Sequence, residues 1–243
     1  MRNRNILYLL KHCSIRDDVH YMENCIFMDE SGFSKKEVRR EGYSKRGVPC
    51  VIEITTQRAV NLSIIGCISS HGLLLLSRHA PLHEVEQHVI IPGTKKRQKV
   101  EGRSHGTKRF HFYDFVKELI DILKEQKMEK QYFVLDNASI HKGDGIEDMI
   151  RDAGHAARFL SAYSPFLNPI EQCWRQIKQD VERRPLTTND DLFARIEKVA
   201  PLVTAAHCQG FIRNAMTFFA PSLAEEDILY DEQFRKVNND QNK

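Results

Sequence analysis

Residues 162–181 read AYSPFLNPIEQCWRQIKQDV. Pro165 and Pro169 bracket a short rigid turn, and the turn runs straight into a helical pattern. Pro169 has the fixed φ that suits a first helical position, and Asn168 before it is a favoured N-cap. The spacing predicts a helix from Pro169 to about Arg183. Ile170, Trp174, Ile177 and Val181 recur every three or four residues and form the stripe that a core would bury. Trp174 reads as packing on that stripe. Glu171, Arg175 and Lys178 fall on a different face, open to a cleft. Glu171 then has two readings. As third residue after Asn168 it fits a capping box that only ties off the helix start; alternatively it carries an acid into a site. The residues alone leave both open.

Upstream, two apolar runs end in an acid. CIFMDE (25–30) and QYFVLDN (131–137) read as short buried strands, with Asp29 and Asp136 at their carboxyl ends. Open α/β sheets place their sites just past such ends, although a strand-end Asp also serves simply to cap a turn. Ser31 and Gly32 read as the turn after Asp29. Between the two runs, VIEITT (51–56), AVNLSIIGCISS (59–70) and LLLLS (73–77) are rich in strand formers and predict a meander. Phe115, Val116, Leu119, Ile122 and Leu123 keep helical spacing to about Gln126. A helix near 144–153, a strand near 157–163, and helices around 189–206 and 208–218 follow. This order predicts an α/β fold, a mixed sheet covered by helices. One domain over 25–222 is expected, after a connector at 1–24 and before a polar tail at 223–243.

Composition narrows the class without naming it. An apolar fraction of 41% and a charged fraction of 28% are those of a globular chain, and the net charge of +3 permits a polyanionic partner. The cysteines at 13, 25, 50, 67, 173 and 208 include no C-x-x-C pair, so neither a zinc knuckle nor a redox motif is indicated. They read as reduced thiols in an intracellular, soluble protein. His79, His83 and His88 lack the Cys or carboxylate partners of a zinc site. The apolar run Ile6–Leu10 is too short for a membrane span, and no membrane partner is expected.

Three acids from rigid elements suit a hard cation. Mg2+ takes oxygen ligands and is typically shared between one or two carboxylates and substrate phosphate. Two such ions can activate a nucleophile and stabilise the leaving oxygen of a phosphodiester.

Three strings carry a resemblance: FMDESGF (27–33), VLDNASIH (134–141) and YSPFLNPIEQCWRQIK (163–178). In this order, with 34 residues between Asp136 and Glu171 and with KRGVP (45–49) after the first motif, the chain resembles the DDE transposases of the mariner superfamily, the DDE superfamily endonucleases, over about residues 20–185. The resemblance implies an RNase H-like mixed sheet, an antiparallel meander plus parallel strands, flanked by helices. It implies DNA cleavage and strand transfer, with Asp29, Asp136 and Glu171 as catalytic metal ligands for two Mg2+ ions, Mn2+ being able to substitute. Asp29 would bridge the two ions. Ala162, Phe166 and Tyr43 depart from the family pattern at positions that ligate no metal. Only 28 residues precede Asp29, too few for the paired helix-turn-helix modules that such transposases use to recognise their ends. The expectation is therefore a catalytic domain, with a truncated or domesticated non-catalytic DNA-binding descendant as the alternative.

Asn137 and His141, flanking the second Asp, are the supporting candidates, able to orient a phosphate or a water. From Lys95 to Arg109 there are seven cations, Lys95, Lys96, Arg97, Lys99, Arg103, Lys108 and Arg109, against one acid, Glu101. This basic loop (93–109) is a candidate track for the DNA backbone; a solvated loop and a nuclear-localisation patch are its other readings. Lys45 and Arg46, with Arg39 and Arg40, are second candidates. The expected partner is double-stranded DNA, transposon ends and target, with a homodimer among the permitted assemblies. Localisation would be nuclear in a eukaryote and otherwise cytoplasmic.

Overall fold

The computed structural model describes residues 18–34, 44–49, 51, 61–79, 109–138, 141, 145–161, 164–183 and 191–224. Strands β1 (Cys25–Ser34), β2 (Asn61–Ser69), β3 (Gly72–His79), β4 (Tyr132–Leu135) and β5 (Ala156–Phe159) form one sheet in the order β3-β2-β1-β4-β5. The pairs β3·β2 and β2·β1 are antiparallel, while β1·β4 and β4·β5 are parallel. Two strands of the expected meander, those at 59–70 and 73–77, are thus β2 and β3, antiparallel beside β1, and the helix-linked strands β4 and β5 complete the sheet. The helices are α1 (Arg109–Glu125), α2 (Ile146–Asp152), α3 (Ile170–Glu182), α4 (Leu192–Val199), α5 (Ala205–Met216) and α6 (Phe219–Leu223).

Strand periodicity sorts the core into two layers. On one face Ile26 and Met28 of β1, Ile65 and Cys67 of β2, and Phe133 and Leu135 of β4 pack against Phe112, Phe115, Val116, Leu119 and Leu123 of α1 and Ile146 and Ile150 of α2. On the other, Cys25, Phe27 and Phe33 of β1, Ile64 and Ile68 of β2, and Tyr132 and Val134 of β4 meet the stripes of α3, α4 and α5. Helices on both faces explain why YFVL in β4 is apolar throughout, as a strand buried on both sides must be. The residues before β1 join this core. Val19 and Tyr21 are buried, and the Tyr21 ring meets Phe27 at 4.9 Å and Phe219 at 4.8 Å.

Three expectations are corrected. β1 does not stop at Glu30: it continues through Ser31 and Gly32 to Ser34, paired with β2 from Phe27↔Ile68 to Ser34↔Asn61. Phe33 keeps the two-residue period of Phe27 and is buried on the same face, so the strand gains a core residue by running on through the glycine. β5 ends at Phe159, short of the expected 163. The expected helix over 189–206 is divided by a 3₁₀ turn at Ala200–Leu202, where Pro201 lacks the N–H that a helix interior needs. Thr204 then starts α5 with a capping box closed by His207. The strand expected at 51–56 lies outside the described residues except for Val51, as do most of the basic loop and the tail from residue 225. Among the described residues no helix is long and apolar enough to cross a membrane.

Candidate active site

Asp29 lies inside β1, opposite Gly66 of β2. A Cβ at Gly66 would sit 2.5 Å from Cη2 of Trp174 and 2.8 Å from Cδ2 of Leu76. Only glycine lets the Trp174 indole lie against β2 at that point. The indole also meets the Phe33 ring edge-on at a centroid distance of 6.0 Å. These contacts fix α3 against the sheet next to Asp29, and Glu171, almost one turn before Trp174, comes with it.

The turn entering α3 is tied to the same strand. Asn168 is buried, and its Nδ2 donates to the Met28 carbonyl at 3.2 Å, one residue before Asp29. Its Oδ1 is buried without a hydrogen-bond partner. Asn168 therefore does not cap α3 through its side chain; the helix begins at Ile170, and the Glu171 N–H donates to the Asn168 backbone carbonyl at 3.2 Å. The capping-box reading of Glu171 is not realised.

Asp136 follows the last residue of β4, as its position in the sequence predicts. Asp29, Asp136 and Glu171 line one cleft of about 290 Å³ together with Asn137, Ala138, Leu160, Ser161, Ser164, Pro165 and Asn168. Burial pushes the Asp29 carboxyl up to about 8, reinforced by the charges of Glu171, Glu30 and Asp136, while the Glu30 backbone N–H acts the other way. Burial also raises Glu171, with Asp136 adding to it; Lys178 and Arg175 oppose the shift. The acids thus repel one another in a partly dry cleft, an arrangement that an added cation relieves.

Asp136 is held differently. Its Oδ1 accepts from the Ala138 N–H at 2.9 Å and faces Nδ1 of His141 at 2.6 Å. The His141 ring is fully buried, packs tilted against Phe112 at a centroid distance of 4.3 Å, and turns Nε2 to the Glu30 carboxylate at 3.0 and 3.2 Å. Burial disfavours its charged form, but the hydrogen bonds to Asp136 and Glu30 outweigh burial and push its pKa to about 10. Of the two supporting candidates, Asn137 lines the cleft, whereas His141 lies behind Asp136 and reaches the cleft only through it. Sequence reasoning missed Glu30. The signal was available in period-two alternation, which turns Glu30 to the face opposite Asp29, among apolar neighbours where a carboxylate needs a partner.

The remaining candidates are not gathered here. Lys45 and Arg46 are exposed in a turn that does not line the cleft. Lys95, Lys96, Arg97, Lys99, Arg103 and Lys108 lie outside the described residues, and Arg109 opens α1. A groove beside the cleft shares Glu171 with it and adds Arg175 and Lys178, with Ser31, Trp174 and Gln179. The Lys178 ammonium sits 5.4 Å from the centre of the Phe33 ring. As the side chains stand, no group of three or more His, Cys, Asp or Glu among the described residues is close enough to hold a metal ion.

Residues 94–193 match the family described as DDE superfamily endonuclease, a span that holds Asp136 and Glu171. The second and third of the three motifs lie within this span. The fold agrees: the chain superposes on the catalytic domain of Mos1 mariner transposase with a TM-score of 0.61, 10% identity, and coverage of 93% of this chain and 95% of that one. Against a Mos1 transposase paired-end complex with left transposon end the TM-score is 0.66, with 13% identity and coverage of 92% and 60%. Against a Mos1 mariner paired-end complex with Mn the values are 0.69, 12%, 95% and 64%. The mixed sheet with helices on both faces is therefore an RNase H-like fold. The chain spans about 60% of the length of the Mos1 chain in the paired-end complex. No curated protein matches the sequence.

Proposed function

We propose that this chain is the catalytic domain of a DNA transposase, acting on double-stranded DNA by metal-dependent phosphodiester hydrolysis and strand transfer. The observation that carries this reading is the placement of Asp29, Asp136 and Glu171 around one cleft, where burial and mutual repulsion raise the Asp29 carboxyl above its ordinary range. The donor set, three carboxylates around one cleft with the buried, unpaired Oδ1 of Asn168 in its wall, is of the oxygen chemistry that a divalent cation takes. Asp29, Asp136 and Glu171 would hold it, as Mg2+ in two copies or as Mn2+. The ions, when bound, supply Lewis-acid stabilisation of charge at the reacting phosphate. The solved structures with Mn and Mg of the similar Mos1 protein support the choice of cation.

The chain's own residues do the rest. Asn168 holds the entry of α3 against β1, and His141 holds Asp136. Arg175 and Lys178, in the adjoining groove, are suited to bind backbone phosphates next to the reacting one. The complexes of Mos1 with transposon-end DNA support a duplex as substrate.

The test is nicking of supercoiled plasmid and of a transposon-end duplex with Mg2+ or Mn2+. Expected is metal-dependent cleavage that is lost in Asp136→Ala; an Asp136→Ala chain as active as the wild type ends the proposal. One observation favours a second reading, a non-catalytic DNA-binding descendant: the three acids do not converge to ligating distance as they stand. Salt-dependent DNA binding without cleavage in either metal would select it.

A further inference from the structure

Glu30 and Asp136 stand on different strands, and a single buried imidazole joins them. Glu30 projects from β1 on the side of α1, away from Asp29, and its side chain is 16% exposed. His141 fills the space between, its ring against Phe112. Both ring nitrogens face carboxylate oxygens, Nε2 at 3.0 Å from Glu30 and Nδ1 at 2.6 Å from Asp136. A ring held at both ends cannot turn about its Cβ–Cγ bond without breaking both contacts. It therefore presents Nδ1 to Asp136 in one orientation, and with the Ala138 N–H at 2.9 Å it fixes the position of Oδ1.

We propose that Glu30, acting through His141, is a positioning residue for Asp136, fixing from the opposite face of the sheet a carboxylate that receives a divalent cation. This rests on the reading of Asp136 as a metal ligand. Glu30 touches neither cation nor substrate; what it sets is how the Asp136 carboxylate is aimed. Hydrogen-bond partners of metal ligands commonly govern affinity by 10–100-fold, and an acid half-exposed at the end of a strand is one whose orientation needs such support.

Two variants of the full chain separate geometry from charge. Glu30→Gln keeps the length and an oxygen acceptor but removes the charge; Glu30→Asp keeps the charge but withdraws the carboxylate by one methylene. The probe is Mn2+ alone, titrated without DNA and followed by electron paramagnetic resonance, with folding checked by circular dichroism. Expected is Mn2+ affinity within about threefold of wild type for Glu30→Gln and a loss of about 10-fold or more for Glu30→Asp. Wild-type affinity in Glu30→Asp, or a comparable loss in Glu30→Gln, overturns the inference while leaving the metal-ligand reading intact. A wild-type chain that binds no Mn2+ overturns that reading itself, and this inference with it.

Discussion

Asp29 and Glu30 are neighbours in sequence and face opposite sides of one strand, and the two sides treat their acids in opposite ways. On the side of α1 and α2, Glu30 meets a buried histidine that also holds Asp136. On the side of α3, Asp29 meets the charges of two further acids, Glu171 and Asp136, and Glu30 adds to them from across the strand. One face supplies its own counter-charge; the other accumulates negative charge at a cleft. Local stability alone does not call for the second arrangement, since burying carboxylates side by side is unfavourable. It makes sense where a cation and a phosphate are to arrive, and this contrast is what the strand alternation of a single dipeptide achieves.

The comparison breaks most decisively at Asp29. Asp29→Asn is expected to lower metal-dependent nicking by at least about a thousandfold, an effect on the order of 4 kcal/mol in the barrier. Wild-type nicking by this variant would remove Asp29 from the site. The same substitution has an opposite effect on the metal-free fold. The folded-state pKa of Asp29, about 8, lies above its ordinary 3.8, so between these values the folded chain binds more protons than the unfolded one. Stability contributed by the protonated carboxyl is complete below about pH 4 and is lost as pH rises to about 8, by up to about 6 kcal/mol. His141 runs in a different window. Its pKa is raised to about 10, so its contribution is complete below about pH 6.5 and gone above about pH 10. Urea denaturation from pH 4 to 8 without divalent metal is expected to show a decline that Asp29→Asn flattens. Excess Mg2+ should reduce the decline as well, by binding the folded state. An unchanged slope in Asp29→Asn would contradict the electrostatic contrast.

A smaller and more local break is available at Gly66. Gly66→Ala places a methyl group 2.5 Å from the Trp174 ring, so the indole and α3 must shift. Overpacking of this kind costs about 1–3 kcal/mol. Because Trp174 sits one turn from Glu171, Mn2+ affinity is expected to fall alongside the melting temperature, while the His141 contacts on the other face are kept. A variant that loses stability but keeps its metal affinity would show that α3 carries Glu171 independently of the Trp174 seat.

How far these features could be read in the sequence follows from the range of the interactions involved. The α1 and α3 stripes, the two-face burial of YFVL, and the position of Asp136 past β4 are local periodicities and were legible. The motifs also singled out Asp29, Asp136 and Glu171, which line one cleft. The continuation of β1 past Glu30 was not legible, because Ser31-Gly32 reads as a turn until the pairing with residues 61–65 of β2 is known. Nor was the role of Asn168: a cap by local rules, it turns its amide to Met28, 140 residues away. The link from Glu30 to His141 spans 111 residues and depends on Phe112 closing the pocket. Pairings of that separation leave no periodic trace.

The finest test of the comparison concerns the cations that the α3 face does have. Lys178 and Arg175 lower the Glu171 pKa against its burial, yet they do so from the adjoining groove rather than from behind the acid, as His141 does for Asp136. Lys178 lies over the Phe33 ring, a contact that holds an ammonium in place without neutralising it. A cation so placed remains available to a phosphate. Lys178→Ala is expected to weaken duplex binding several-fold at low salt, equally across unrelated sequences. The plot of log K against log salt should become shallower by about 0.9, the value for one lost phosphate contact. The melting temperature should fall by no more than about 4 °C, since a half-buried cation–π contact contributes on the order of 1 kcal/mol. An unchanged salt slope would place Lys178 with the structural cations, a counterpart of His141 on the other face. A shallower slope would show that the two faces divide their cations as they divide their acids, one set for the fold and one for the substrate.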